Sequence, residues 1–296
     1  MKSPELEATI QQMRAADVLG LPSVSAMREA LEAVGRMLPV DLDIECRSET
    51  IGGVAGEWLS MPDASPDEVT LYFHGGGYVI GSPNTHRCLA GRLARASRTR
   101  VLLLDYRRAP EHPFPAAVDD ATAAYRALLE RGTRPEKMAL AGDSAGGGLA
   151  IATAIALRET RVDLPAAIAY ISPWTDLAVT GESIMSRAAL DPMCHKRGIQ
   201  RLAELYLAGQ DPRAPLASPL YANLRGLPPI LIHIGEAETL YDDSVRLGAR
   251  AREAGVDVSF KEWPDMIHVF PLFVPDISDS QRAIRELGEF LRGHLR

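Results

Sequence analysis

The sequence predicts an α/β protein in which a mostly parallel central sheet is flanked by helices and carries a helical cap. Short, nearly continuous apolar runs alternate with amphipathic helical stretches along most of the chain. Strands of that kind are typical of a parallel sheet covered on both faces. Residues 175–215 interrupt the alternation with several turn signals and no clear strand. We therefore expect that segment to be an insertion outside the sheet.

The elements can be assigned in chain order. Residues 1–36 carry apolar positions at helical spacing, broken at Leu21-Pro22-Ser23, which indicates two short amphipathic helices. Residues 44–61 have a strand-like pattern with Gly52-Gly53 as the turn of a hairpin. The later strands are predicted at 69–73, 101–104, 138–141, 167–171, 230–234 and 258–260, and the helices at 85–97, 117–131, 145–159, 242–254 and 279–294.

Composition excludes several classes of protein. Of 296 residues, 46% are hydrophobic and 24% are charged, so the chain can bury a large core, and we expect one domain over residues 1–296. The 39 acidic side chains outnumber the 32 basic ones, and no basic run is present, which argues against a nucleic-acid partner. No apolar run approaches the roughly 20 residues of a membrane span.

The cysteines indicate a reducing compartment. Cys46, Cys88 and Cys194 are few and widely spaced and form no CxxC pair, which disfavours disulfides and a zinc site. We expect no metal and no cofactor. The first 20 residues contain no continuous apolar stretch before a cleavage site, so the sequence predicts no signal peptide and a cytoplasmic location.

A G-x-S-x-G motif at residues 142–146 directly follows the apolar run at 138–141 and precedes a helix-forming stretch. This order is that of a nucleophile elbow, with Ser144 as the nucleophile. The glycines are needed because the turn strains the serine backbone and leaves no room for neighbouring side chains. The motif by itself could be an ordinary tight turn, but its position after a strand favours the catalytic interpretation.

The first core strand, 69–73, runs directly into the sequence His-Gly-Gly-Gly at 74–77. Consecutive glycines can turn several N–H groups toward one point, which stabilises an oxygen that becomes negative during a reaction. A phosphate-binding loop is disfavoured because neither G-x-x-x-x-G-K-[ST] nor G-x-G-x-x-G is present. The HGGG string lies about one β-α-β-α unit before Ser144, where a hydrolase of this type would carry it.

The general base is expected after Ser144 in the chain, and four histidines follow it. His195 lies in the insertion, and His294 lies near the end of the terminal helix, where we expect it to be solvated. His233 lies inside an apolar strand, where a satisfied core histidine is expected. His268, in the loop after the last strand, is therefore the predicted base.

The acid is expected in the loop after the penultimate strand, at residues 235–243. Glu238 lies in the middle of that loop. Asp242 and Asp243 are typical of the N-terminal residues of the following helix, and Glu236 follows the strand so closely that it would face the sheet edge. The residues alone favour Glu238 and leave Asp242 as the alternative.

Together these motifs resemble the bacterial hormone-sensitive lipase family of esterases, which have the α/β-hydrolase fold. The resemblance spans roughly residues 40–290. Residues 106–117 are the most family-specific string, and because no catalytic role can be derived for it, we expect a structural loop near the site. The strings that carry the resemblance are HGGGY, YRRAPEHPFPAA, GDSAGG and the final Met266-Ile267-His268.

The resemblance implies roles for individual residues. The family's acid lies in a (D/E)-x-L-x-D pattern, which Glu238 begins here. The family's oxyanion donors correspond to the N–H groups of Gly76, Gly77 and Ala145. Two positions depart from the family pattern: Glu replaces the usual Asp at 238, and Val269 stands where many members carry Gly.

The resemblance also implies that segments 1–36 and 175–215 pack together as a cap over the acyl pocket. A small-molecule ester with a short to medium acyl chain would be the substrate, and the family allows a homodimer formed through the sheet edge. No membrane partner is expected. The predicted enzyme is a carboxylesterase that forms an acyl-enzyme through a Ser-His-Glu triad.

Two alternatives use the same fold. An amide, lactone or carbamate hydrolase would employ the same groups, because specificity lies in the pocket. A ligand-binding receptor, such as the plant gibberellin receptors that resemble this family, would keep the HGG loop and lose the base. The presence of Ser144, Glu238 and His268 together disfavours the receptor.

Overall fold

The computed structural model describes residues 2–295, in which eight strands form a single sheet. The strands are β1 (Glu45–Ile51), β2 (Val54–Ser60), β3 (Val69–Phe73), β4 (Arg100–Leu104), β5 (Met138–Asp143), β6 (Ala167–Ile171), β7 (Ile230–Gly235) and β8 (Val258–Trp263). Their order is β1-β2-β4-β3-β5-β6-β7-β8. Strand β2 is antiparallel to both β1 and β4, and the other neighbours are parallel.

Helices cover both faces of this sheet. They are α1 (Pro4–Ala16), α2 (Val24–Arg36), α3 (Pro83–Ser97), α4 (Ala116–Glu130), α5 (Ala145–Glu159), α6 (Ser183–Ser186), α7 (Lys196–Leu207), α8 (Tyr241–Glu253), α9 (Phe270–Phe273) and α10 (Ser278–His294). Within residues 2–295, none of these helices is both long and apolar enough to cross a bilayer. The predicted α/β-hydrolase architecture is confirmed.

Side-chain burial explains the sheet. Every residue of β3, β5, β6 and β7 is buried, whereas most residues of the edge strands β1 and β8 are not. Successive side chains of a strand point to opposite faces. Leu71 and Phe73 accordingly belong to the core on the face covered by α4, α5 and α8, and Tyr72 belongs to the core on the face covered by α3 and α10. A homodimer through the sheet edge stays a prediction.

The predicted elements form close to their expected positions. The hairpin turn is at Gly52-Gly53, with φ of 60° and 83°. Strand β5 extends two residues beyond the predicted run and so includes Asp143. The segment 175–215 contributes no strand to the sheet, and it contains α6 and α7. The sequence pattern was therefore sufficient to assign the strands of the sheet and most of its helices, while the strand order came from the structure.

The N-terminal segment contacts the insertion directly. Helices α1 and α2 are capped by the hydroxyls of Ser3 and Ser23. The guanidinium of Arg201, on α7, donates to the carbonyls of Leu21 and Pro22 at 2.6 and 2.9 Å. Arg14 of α1 likewise donates to a carbonyl of the insertion. These contacts join the two segments, while their joint role as a cap stays a prediction.

One expectation about the core is wrong. His233 is buried in β7 as predicted, but neither ring nitrogen has a hydrogen-bond partner among the described residues. Its Nε2 lies 3.7 Å from a carboxylate oxygen of Glu286, and its ring meets the edge of Trp263. Burial, together with the nearby Lys261 charge, lowers the pKa of His233 to about 3. The imidazole is therefore held neutral.

This neutral histidine predicts acid sensitivity. The pKa of His233 is lower in the folded chain than in the unfolded chain, where it is about 6.5. The unfolded state binds the extra proton, so the free energy of unfolding falls as pH drops below about 6.5, by about 1.4 kcal/mol per pH unit for one such histidine. Urea unfolding measures the free energy of unfolding between pH 6 and 4. In His233→Leu, this free energy is expected to fall less steeply with decreasing pH than in wild type. Equal slopes would contradict this assignment.

Candidate active site

The predicted site residues follow the carboxyl ends of four parallel strands. Ser144 comes directly after β5, and the HGGG loop follows β3. Glu238 lies in the loop after β7, and His268 lies in the loop after β8. Carboxyl ends of parallel strands meet at one edge of the sheet, where α/β proteins bind ligands. The topology therefore gathers residues that are far apart in the chain.

The turn at Ser144 has the strained geometry expected for an elbow. Ser144 has φ 51° and ψ −121°, which a non-glycine residue rarely adopts. A Cβ atom at Gly142 would overlap the carbonyl of Gly146, and one at Gly146 would overlap the carbonyl of Phe73. Both flanking glycines are thus required by contact with backbone atoms, as the sequence predicted.

The side chains of Ser144, His268 and Glu238 form a continuous hydrogen-bonded chain. Nε2 of His268 lies 2.9 Å from Oγ of Ser144, and Nδ1 of His268 lies 2.8 Å from Oε2 of Glu238. The imidazole and the carboxylate are both almost fully buried. Within residues 2–295, the three predicted residues are brought together.

The second carboxylate oxygen of Glu238 is also bonded. It accepts from the hydroxyl of Ser172 at 2.7 Å and from the N–H of Gly235 at 2.6 Å. Burial raises the pKa of Glu238 despite these donors and His268. The alternative acid, Asp242, lies in the first turn of α8, where it accepts from the N–H of Ser183.

Charge at His268 is set by its neighbours. Burial opposes protonation of the ring, and the adjacent side chains of Cys194 and Glu238 outweigh it, so the pKa of His268 is raised. Burial also raises the pKa of Cys194, to about 11, which keeps its thiol neutral at neutral pH. The carboxylate of Glu238 is therefore the charge that favours an imidazolium.

The glycine loop has a backbone conformation that favours glycine. Gly76 and Gly77 have φ of 111° and 61°. A Cβ atom at Gly76 would overlap the carbonyl of Ile80, so the loop accepts no side chain there. Ala145 is the first residue of α5, and the first N–H groups of a helix have no partner within it. Gly76, Gly77 and Ser144 line the same pocket.

A buried polar network that the sequence reasoning missed supports this loop. One oxygen of Asp143 accepts from the hydroxyl of Tyr72 at 2.7 Å and from the N–H of Gly75 at 3.2 Å, and the other lies 3.2 Å from Nε2 of His86. Burial raises the pKa of Asp143, but His86 and Tyr72 outweigh it, and the net pKa is lowered. Only the position of Asp143 inside G-x-S-x-G could have signalled its role.

The loop at residues 106–117 packs beneath the glycine loop. The hydroxyl of Tyr106 donates to the carbonyl of His74 at 2.7 Å, and the two rings stack at 4.3 Å. Arg28 of α2 donates to the carbonyls of Val79 and Ala109, which joins the N-terminal segment to both loops. The prediction of a structural loop near the site is confirmed.

The pocket above Ser144 is apolar. Ser144 and His268 are among the few polar residues of its lining, a composition that is usual for small-molecule sites. Both the N-terminal segment and the insertion contribute to its wall. The lining apolar residues from these two segments are Val18, Leu19, Leu31, Met193, Ile199 and Leu202.

The insertion is also bonded to the loop that carries Glu238. A carboxylate oxygen of Asp191 accepts from the N–H of Thr239 at 2.9 Å, and the hydroxyl of Thr239 donates to the carbonyl of Cys194 at 2.8 Å. Sequence reasoning did not single out Asp191, because an Asp-Pro pair reads only as a turn signal. Cys194, considered only for disulfides, lines the pocket.

Comparison with known proteins identifies the family. Residues 70–272 match a family described as having the alpha/beta hydrolase fold. An acetyl-hydrolase of Streptomyces hygroscopicus is 49% identical over 82% of this chain and 81% of its own length. A solved esterase of the bacterial hormone-sensitive lipase family is 47% identical, with a TM-score of 0.96 over 100% of both chains.

The chain belongs to the bacterial hormone-sensitive lipase family of esterases. Like other members, it is a serine hydrolase that cleaves carboxylic esters. An esterase of Acinetobacter venetianus, 34% identical over 90% of this chain and 88% of its own length, is a further relative. The resemblance inferred from the motifs is confirmed.

The glycine contacts at the elbow predict a sensitive position. Gly146→Ala is expected to lower the free energy of unfolding by about 2 kcal/mol or more, because the new Cβ would displace the backbone of β3. Thermal and urea unfolding measure this. Gly293→Ala is the matched control, since its Cβ would meet nothing within 4 Å. Equal stability of the two variants would refute the packing argument.

Proposed function

We propose that this esterase hydrolyses short- to medium-chain acyl esters through the triad Ser144, His268 and Glu238. The observation that carries the proposal is the unbroken hydrogen-bonded chain, with 2.9 Å from Ser144 to His268 and 2.8 Å from His268 to Glu238. Ser144 and His268 line an apolar pocket, which suits an uncharged substrate.

Acylation uses the imidazole as a base. Nε2 of His268 takes the hydroxyl proton as Oγ of Ser144 attacks the ester carbonyl. Glu238 keeps the other ring nitrogen protonated and stabilises the imidazolium that forms. The imidazolium then gives its proton to the departing alcohol, leaving the acyl group on Ser144.

The oxygen that becomes negative is stabilised by backbone donors. The N–H groups of Gly76, Gly77 and Ala145 are the proposed donors, and they require no reorganisation because the backbone is already held in place. A water molecule, deprotonated by His268, then attacks the acyl-enzyme. The same donors serve the second tetrahedral intermediate, and the acid is released.

The wall of the pocket supports the proposed substrate class. Its lining is predominantly apolar, which suits the acyl chain of an uncharged ester. The relative from Streptomyces hygroscopicus is named an acetyl-hydrolase, at the short end of this range. We propose that segments 1–36 and 175–215 act jointly as the cap that sets chain length.

The proposed roles predict a near-complete loss of activity on removal of either reacting group. Ser144→Ala and His268→Ala are expected to lower kcat for p-nitrophenyl butyrate by about 10³-fold or more. Both variants should keep wild-type circular dichroism. A fluorophosphonate should label wild type at Ser144 and leave Ser144→Ala unlabelled. Wild-type activity in Ser144→Ala would end the proposal.

The length of the acidic side chain is predicted to matter. Glu238→Asp withdraws the carboxylate by about 1.5 Å, so it can no longer reach His268 while remaining bonded to Ser172. We expect kcat to fall by about 100-fold, as misplacement by about 1 Å can cause. Glu236→Asp makes the same change at an exposed position of the same loop and should leave kcat unaltered. Equal rates would contradict the predicted requirement for the longer side chain at position 238.

A further inference from the structure

Ser172 occupies the carboxyl end of β6, beside the triad. It is completely buried, and its φ of 53° places it in the left-handed region. Its N–H donates to the carbonyl of His233, on the neighbouring strand, at 2.7 Å. A serine held this way costs backbone strain, which the surrounding contacts have to offset.

The hydroxyl of Ser172 makes two hydrogen bonds that converge on the triad. It donates to Oε1 of Glu238 at 2.7 Å and accepts from the N–H of Val269 at 3.1 Å. A hydroxyl carries a single proton, so its donor capacity is used entirely by this carboxylate. The loop bearing the acid and the loop bearing the base are thus bridged by one oxygen atom.

We propose that Ser172 is a positioning residue, whose hydroxyl holds the Glu238 carboxylate and the His268 loop in register for catalysis. This inference rests on the proposed triad. Ser172 is absent from the residues that line the pocket, so it acts through Glu238 and His268 and touches no substrate.

The two departures from the family pattern both involve this hydroxyl. Glutamate has one more rotatable bond than aspartate, so its carboxylate needs further anchoring. Ser172 and the N–H of Gly235 hold Oε1, which leaves Oε2 aimed at His268. Val269 has φ 48°, an unfavourable conformation for a β-branched residue. Its N–H donates a hydrogen bond to the hydroxyl oxygen of Ser172.

Loss of the hydroxyl is expected to affect turnover more than binding. A hydrogen bond to a charged group contributes enough for its loss to lower kcat by about 10- to 100-fold. KM should change little, because the pocket wall is intact. The hydroxyl also favours the ionised carboxylate, so its removal raises the pKa of Glu238. The Glu238–His268 pair then takes up a proton at higher pH, and the acidic limb of the kcat/KM profile shifts to higher pH.

The experiment compares Ser172→Ala with Ser172→Gly. Both remove the hydroxyl, but glycine adopts positive φ without strain, so the pair separates the hydroxyl from the backbone conformation. Ser97→Ala is the matched control, because it removes another fully buried, hydrogen-bonded hydroxyl that lies outside the pocket lining. Kinetics on p-nitrophenyl butyrate from pH 5 to 9 are measured for each, with circular dichroism and melting temperature.

The expected result in both Ser172 variants is a reduced kcat and an acidic limb of the kcat/KM profile that lies at higher pH. Ser97→Ala should show neither change. A wild-type kcat and pH profile in Ser172→Gly would overturn the proposal, even if Ser172→Ala were impaired, because strain would then be the cause. Wild type and Ser144→Ala are assayed in parallel. If Ser144→Ala kept full activity, the proposed function itself would fail; if it were inactive while the Ser172 variants were normal, only this inference would fail.

Discussion

The site depends on the burial of one carboxylate. Glu238 is fully enclosed, and a buried carboxylate is costly unless donors surround it. Ser172, Gly235 and His268 supply three donors from three different strand-end loops. Each donor is held by the sheet, so the electrostatic requirement of the carboxylate and the geometry of the imidazole are satisfied by the same set of bonds.

The glycine loop follows a similar principle on the other side of Ser144. Its backbone is hydrogen-bonded by Asp143, Tyr106 and His86 from outside the loop and by the ring of His74 within it. Side chains on the loop would collide with neighbouring carbonyl groups, as at Gly76. Gly76 and Gly77 therefore line the pocket with backbone atoms alone.

The predicted triad and much of the pocket wall come from different parts of the chain. The reacting groups stand on the ends of sheet strands, which the core holds rigidly. Much of the pocket wall comes from the N-terminal segment and the insertion, which are tied to each other through Arg201 and to the catalytic loops through Arg28 and Asp191.

The sequence by itself determined the strand and helix pattern, the elbow at Ser144 and the candidate base His268, because each follows from residues adjacent in the chain or from strand order. It left Glu238 and Asp242 as alternatives, and it missed Ser172 altogether. Ser172 and Glu238 are 66 residues apart, and no local pattern records which side chains meet when β6 and β7 pair. The tertiary structure also decided that the His233 imidazole has no hydrogen-bond partner within residues 2–295, since partners for a core side chain come from whatever packs against it.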